Sequence, residues 1–114
     1  LAALLGGHAR PLACEELALR AREDLDHGRL REAALQVRVA LDAALAELPR
    51  DGAVDDDLAR RVDGLRGAGA EVAALADAAL ADALPHDAEA KLAGVLQRLE
   101  AALRTRIAAE ARPA

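Results

Sequence analysis

Four side chains in this sequence belong to the types that bind transition metals: His8, Cys14, His27 and His86. A zinc site needs three or four such ligands that converge on one point, and they commonly come as close His or Cys pairs. None of the four forms a close pair, and His27 and His86 stand at predicted helix boundaries. We therefore expect solvated histidines, with no metal centre and no bound cofactor.

A run of carboxylates, Asp55 to Asp57, has further aspartates on either side and could bind a divalent cation. Calcium requires about six or more oxygen ligands from a loop that folds back on itself. Consecutive carboxylates at the start of a helix more commonly cap that helix and interact with its dipole. We expect the capping role for this run.

Arg22 and His27 are separated by four residues, and Arg20 and His27 are separated by six. This spacing resembles the Arg–His motif of the HEPN superfamily (higher-eukaryote and prokaryote nucleotide-binding domains), which are four-helix domains of about this length. The run from Gly28 to Ala33 is also similar to that family. The resemblance implies an alternative function, a nucleotide-binding or RNA-cleaving domain in which Arg22 and His27 act without a metal at a dimer interface.

The composition excludes several classes of protein. The 114 residues include 32 alanines and 21 leucines, but no Phe, Trp, Tyr, Met or Ser. Six valines and one isoleucine are too few β-branched residues for a sheet, so the chain is predicted to be all-α. Without serine there is no serine nucleophile, and without aromatic residues there is no surface on which single-stranded nucleic acid could stack.

Charge and cysteine usage indicate the cellular setting. The net charge of −5 makes nucleic acid an unexpected partner. No apolar run reaches the ~18 residues of a membrane span, and a single cysteine fits a reducing compartment. We expect a cytoplasmic protein, from a high-GC bacterium given the Ala, Arg and Leu bias. Because the chain starts at Leu1 without a methionine, we also expect a piece of a larger protein.

Apolar periodicity predicts four or five antiparallel helices in one domain over residues 12–112, after a loose N-terminal segment over 1–11. The predicted helices cover about 12–27, 30–48, 54–84 and 87–111. Proline and glycine set these limits, and three glycines predict a possible break at 66–69. The apolar face predicted for the last helix ends with Leu103 and Ile107.

The helix predicted over 30–48 has the widest apolar surface. Beside its main apolar face it carries a second set of apolar residues: Leu35, Val39, Ala43 and Ala46. A helix that is apolar over so much of its surface is expected at the centre of the domain, with neighbours on two sides. We predict that Leu35, Val39 and Ala46 bind a partner.

Two similar runs, Gly28 to Leu41 and Gly67 to Leu80, are offset by 39 residues. Each has a glycine, then a glutamate followed by Ala or Val, and later an Ala–Leu pair. The pattern resembles the second helix of a tetratricopeptide-type hairpin, and the resemblance implies a stack of helical hairpins. The alternative architecture is an antiparallel helical bundle.

Together these observations favour a protein–protein interaction or scaffolding domain without enzymatic activity. The expected partner is another protein or a second copy of the chain as a homodimer.

Overall fold

A computed structural model describes residues 12–49 and 55–111 of the chain. Within these residues the chain forms five helices and no strand, which confirms the all-α prediction. The helices are α1 (Ala13–Asp26), α2 (Leu30–Glu47), α3 (Asp56–Gly67), α4 (Gly69–Leu80) and α5 (Ala88–Ala111). The loose segment predicted over 1–11 lies outside the described residues.

A tight turn joins α1 and α2 into an antiparallel hairpin. Gly28 ends α1 with a φ of 72°, a left-handed conformation that glycine adopts without steric cost. The backbone N–H of Arg29 donates to the carbonyl of Asp24 at 2.8 Å and closes the turn. The facing surfaces are lined with small side chains, which let the two helices approach closely: Cys14, Ala18, Ala21, Ala33, Ala40 and Ala44.

Helix α2 lies at the centre of the domain, because it packs against all four other helices. This confirms the central position expected from its apolar surface. Val37 and Leu41 on its inner face are no more than 1% exposed. The rest of the core comes chiefly from leucines and valines of α3, α4 and α5, with alanine filling the space between them.

The break between α3 and α4 lies at Ala68, inside the 66–69 stretch that carries two of the glycines. The N–H of Ala68 donates to the carbonyl of Leu65, three residues back, so the helix tightens there before α4 begins. The two helices then pack on different neighbours, α3 on α5 and α4 on α2. The element predicted to reach residue 84 ends at Leu80, and Asp82 follows with a φ of 55°.

Two glycine substitutions should change stability in opposite directions. Gly94 lies inside α5, and a Cβ added there would meet no atom within 4 Å. Gly94→Ala is therefore expected to raise the free energy of unfolding by about 0.5–1 kcal/mol, since alanine loses less conformational entropy in a helix. Gly28→Ala is expected to lower it by about 1–2 kcal/mol because of the left-handed φ. Denaturant titration followed by circular dichroism measures both, and equal effects at the two positions would contradict this account.

Candidate functional site

An open groove with a volume of about 350 Å³ lies between α1 and α5. Its walls carry two large apolar side chains, Leu19 (72% exposed) and Ile107 (53% exposed). Ala18 and Leu103 are buried beneath them and form the floor. Three charged residues complete the lining: Glu15, Glu100 and Arg104. We refer to this feature as the α1/α5 groove.

Two ion pairs cross from α1 to α5. The Arg22 guanidinium donates from Nε and Nη2 to the two carboxylate oxygens of Glu100, at 3.0 and 2.8 Å. Towards the other end of the groove, Arg106 Nη1 lies 3.3 Å from Glu15 Oε1. The pairing of 22 with 100 and of 15 with 106 shows that α1 and α5 are antiparallel. The bidentate geometry fixes the separation of the two walls.

Arg104 differs from the other charged residues of the groove. It is exposed, and among residues 12–49 and 55–111 its guanidinium has no ion-pair or hydrogen-bond partner. Glu15 and Glu100, by contrast, already accept from Arg106 and Arg22. Arg106 and Arg22 are each shared with a second carboxylate, Glu110 and Asp26, so they do not fully neutralise the two glutamates. Arg104 is the charged side chain of the lining that has no partner among the described residues.

The residues predicted to bind a partner lie on the face of α2 that points away from the core. Val39 is 50% exposed, Ala46 is exposed and Leu35 is half-buried, whereas Ala43 packs against the core. Leu35, Val39 and Ala46, without Ala43, are thus the apolar set that this face presents. With two acidic residues it forms a row with alternating spacings of three and four, which we call the α2 outer face: Glu32, Leu35, Val39, Asp42 and Ala46.

A carboxylate from the end of α2 caps the start of α1. Glu47 accepts hydrogen bonds from the backbone N–H groups of Ala13 and Cys14, at 2.9 and 2.8 Å. Although burial works in the opposite direction, these bonds hold the pKa of Glu47 below its usual value. The neighbouring Cys14 thiol is fully buried, and burial together with Glu47 raises its pKa to about 12. A thiol in this state is a poor nucleophile.

Arg22 and His27, the residues of the alternative function, engage different partners. Arg22 is bound to Glu100 as described, and the hydrogen bonds to this carboxylate raise the pKa of the guanidinium. His27 follows the last residue of α1, and its Nδ1 lies 2.8 Å from the carbonyl oxygen of Glu23. The imidazole is exposed. No hydrogen bond joins Arg22 and His27 in the described part of the chain.

The aspartate run begins α3. Asp55 is the N-cap, and its side chain accepts from the N–H of Leu58 at 3.0 Å, while Asp57 pairs with Arg60 and Arg61. Over residues 12–49 and 55–111, no group of three His, Cys, Asp or Glu side chains is close enough to hold a metal ion. His8 and Asp51 lie outside those residues. None of the described helices combines the length and the apolar character needed to cross a membrane.

Comparison with known proteins found no matching family model, no matching characterised protein and no matching solved structure. The resemblances to tetratricopeptide hairpins and to the HEPN superfamily therefore stay predictions.

The periodicity of the sequence did not indicate the α1/α5 groove. The apolar pattern predicts Ile107 on the buried face of α5, but this prediction is wrong, because Ile107 is 53% exposed and lines the groove. Leu19 lies outside the apolar face predicted for α1. An isolated leucine outside that face is the one feature of the sequence that could have indicated the groove. Which helix lies beside α1 depends on the tertiary structure.

Proposed function

We propose that this chain is a protein–protein interaction domain without catalytic activity of its own, and that the α1/α5 groove is its principal binding site. The observation that carries the proposal is the exposure of Leu19 and Ile107 on facing walls above an apolar floor. Single exposed apolar side chains are common on protein surfaces, but two that converge on one concave surface are typical of a binding site.

The shape of the groove favours a helical ligand. Two antiparallel helices leave a channel between them, and a third helix fits there with its side chains between theirs. Helix-in-groove recognition uses apolar residues one turn apart, and the distance between the two interhelical ion pairs provides room for about two turns. Binding would remove Leu19 and Ile107 from water, each contributing up to roughly 1.5–3 kcal/mol.

The ion pairs also make the groove ready for binding. Arg22–Glu100 is partly shielded from solvent, with side chains 30% and 27% exposed, and its bidentate geometry limits movement of α1 against α5. A groove that is already in its binding conformation loses less entropy on association. Arg22 and Arg106 hold the walls without lining the groove, whereas the Glu100 and Glu15 carboxylates that they bind are part of its lining.

The α2 outer face is the second surface included in this proposal, with Leu35, Val39 and Ala46 as its contact residues. Its support is the exposure of Val39 and Ala46 and the row of three-and-four spacings.

We also place the protein in the bacterial cytoplasm as part of the proposal. The unpaired Cys14 supports a reducing compartment.

A site-specific photo-crosslinker tests the groove directly. We expect a crosslinker at Leu19 or Ile107 to capture a protein on illumination in a bacterial lysate, because both side chains contact the ligand. The matched control carries the crosslinker at Gly64, which is exposed on α3 and at which an added Cβ would meet no neighbouring group within 4 Å. Capture from 19 and 107 but not from 64 supports the proposal, whereas equal capture from all three positions, or none, contradicts it.

A further inference from the structure

We infer that the ligand of the α1/α5 groove is a second copy of this chain, which inserts its α2 outer face. This inference rests on the proposed function of the groove. It adds the identity of the partner and assigns the two candidate surfaces to opposite sides of one interface.

The two surfaces match in length and spacing. On α1 the ion-paired residues Glu15 and Arg22 are seven residues apart, which is about 10 Å of helix. On α2 the segment from Leu35 to Asp42 has the same length and presents Leu35 and Val39 one turn apart. The outer face is convex because it is the exposed side of a single helix, whereas the groove is concave. Two apolar side chains of one copy therefore meet the walls formed by Leu19 and Ile107 of the other.

The charged side chains that lack a described partner have opposite signs on the two surfaces. Asp42 and Glu32 lie at the edges of the apolar residues on α2, and neither has an ion-pair partner among the described residues. The free charge in the groove is Arg104, three residues before Ile107 on α5. Asp42 lies three residues after Val39, so the acid and the apolar side chain of one surface have the same spacing as the cation and the apolar side chain of the other. Insertion would pair Arg104 with Asp42.

The symmetry of such a contact has a measurable consequence. The groove and the outer face are different surfaces of one molecule, so the contact is heterologous, and each bound copy still offers one free groove and one free outer face. Association should therefore continue beyond a dimer as concentration rises. Because each surface presents only a few side chains, the interface is expected to be small and the contact weak and transient. The net charge of −5 opposes association at low salt.

The experiment measures the mass of the purified protein by sedimentation velocity up to about 1 mM, the range in which weak contacts are populated. The wild-type average mass is expected to rise above that of the 11.8 kDa monomer. Val39→Lys alters the outer face and Ile107→Lys alters the groove, and both positions are at least half exposed, so both variants should fold. Each is expected to weaken association at least about tenfold. Gly64→Lys adds the same charge on α3 and should leave association unchanged.

Mixing the two variants provides the decisive measurement. The Ile107→Lys copy keeps an intact outer face and the Val39→Lys copy keeps an intact groove, so the mixture should form a 1:1 complex that grows no further. Three results would overturn the inference: a monomer at every concentration, association that Val39→Lys leaves intact, or association that Ile107→Lys leaves intact. If Ile107→Lys abolishes association and Val39→Lys does not, the two copies meet groove to groove.

The result also separates this inference from the proposed function. A purified protein that stays monomeric while the crosslinker at Leu19 captures a different protein overturns the second-copy inference and supports the groove as a binding site. A monomer with no capture at Leu19 or Ile107 overturns both.

Discussion

Replacing Glu47 with alanine is expected to lower the free energy of unfolding by about 1.5–3 kcal/mol at neutral pH, the range measured for hydrogen bonds to charged groups. The carboxylate accepts from the N–H groups of Ala13 and Cys14, two donors that have no partner within α1 itself. It also connects the end of α2 to the start of α1, more than thirty residues away along the chain. Denaturant titration of the wild type and of Glu47→Ala measures the difference.

The pH dependence of this difference follows from the pKa of Glu47, which is lower in the folded protein than in the unfolded chain. A carboxyl group with a lowered folded pKa contributes stability that is present above its unfolded pKa of about 4.3 and is lost as the pH falls through the folded value. The difference in free energy of unfolding between wild type and Glu47→Ala should therefore be largest at pH 7 and should decrease below about pH 4. A gap that stays constant down to pH 2.5 (about two units below the unfolded value) would contradict an ionised cap.

Glu23→Ala is the matched control for this measurement. Glu23 lies on α1, the helix that Glu47 caps, but its carboxylate is 70% exposed and its distance to Arg29 is as long as 3.7 Å. An exposed pair of this kind contributes little, so the free energy of unfolding should change by less than about 0.5 kcal/mol. If Glu23→Ala lowers the free energy of unfolding as much as Glu47→Ala does, the effect comes from removing a carboxylate from the hairpin and not from removing the cap.

The Cys14 thiol is expected to resist alkylation in the folded protein. Its side chain is fully buried, and the pKa of about 12 leaves about a thousand-fold less thiolate at pH 8 than an ordinary cysteine has. Because only the thiolate reacts, iodoacetamide should modify native Cys14 at least a hundred-fold more slowly than the unfolded chain (a bound of about two orders of magnitude, below the thiolate ratio). Mass spectrometry over time, with and without denaturant, measures both rates.

A double variant, Cys14→Ala with Gly64→Cys, separates protection by the fold from any general property of the sequence. The new thiol is exposed on α3 and should react at nearly the same rate in the native and unfolded states. Native Cys14 that reacts within tenfold of this exposed thiol would mean that the N-terminal end of α1 opens readily.

Cys14 also affects stability at alkaline pH, with the opposite sign to Glu47. Its folded pKa is raised, so its contribution is fully present below the unfolded pKa of about 8.5 and is lost as the pH rises towards the folded value of about 12. The stability of the wild type should therefore fall between about pH 9 and 12 more steeply than that of Cys14→Ala. Parallel curves for the two proteins would contradict the raised pKa.

Much of the fold follows from local features of the chain. The shortage of β-branched and aromatic residues excludes sheets, and the abundance of alanine and leucine favours helices. Gly28 marks the end of α1 because only glycine adopts its backbone conformation at no cost, and Asp55 marks the start of α3 because its side chain caps the first turn. The central position of α2 could be predicted from the number of apolar residues on the helix itself. These features depend on residues within one or two helical turns.

The candidate site depends on which helices become neighbours, and this is decided by tertiary packing. Ile107 has the same apolar periodicity as the buried residues of α5, yet it is 53% exposed in the open groove beside α1. Arg106, next to it, is only 6% exposed, and its ion pair with Glu15 joins residues 91 positions apart. Periodicity states which side chains share a face of a helix, but not what lies opposite that face. The α1/α5 groove requires two helices far apart in the sequence to meet, and the cap from Glu47 requires the two open ends of the α1/α2 hairpin to meet, so only the folded chain forms them.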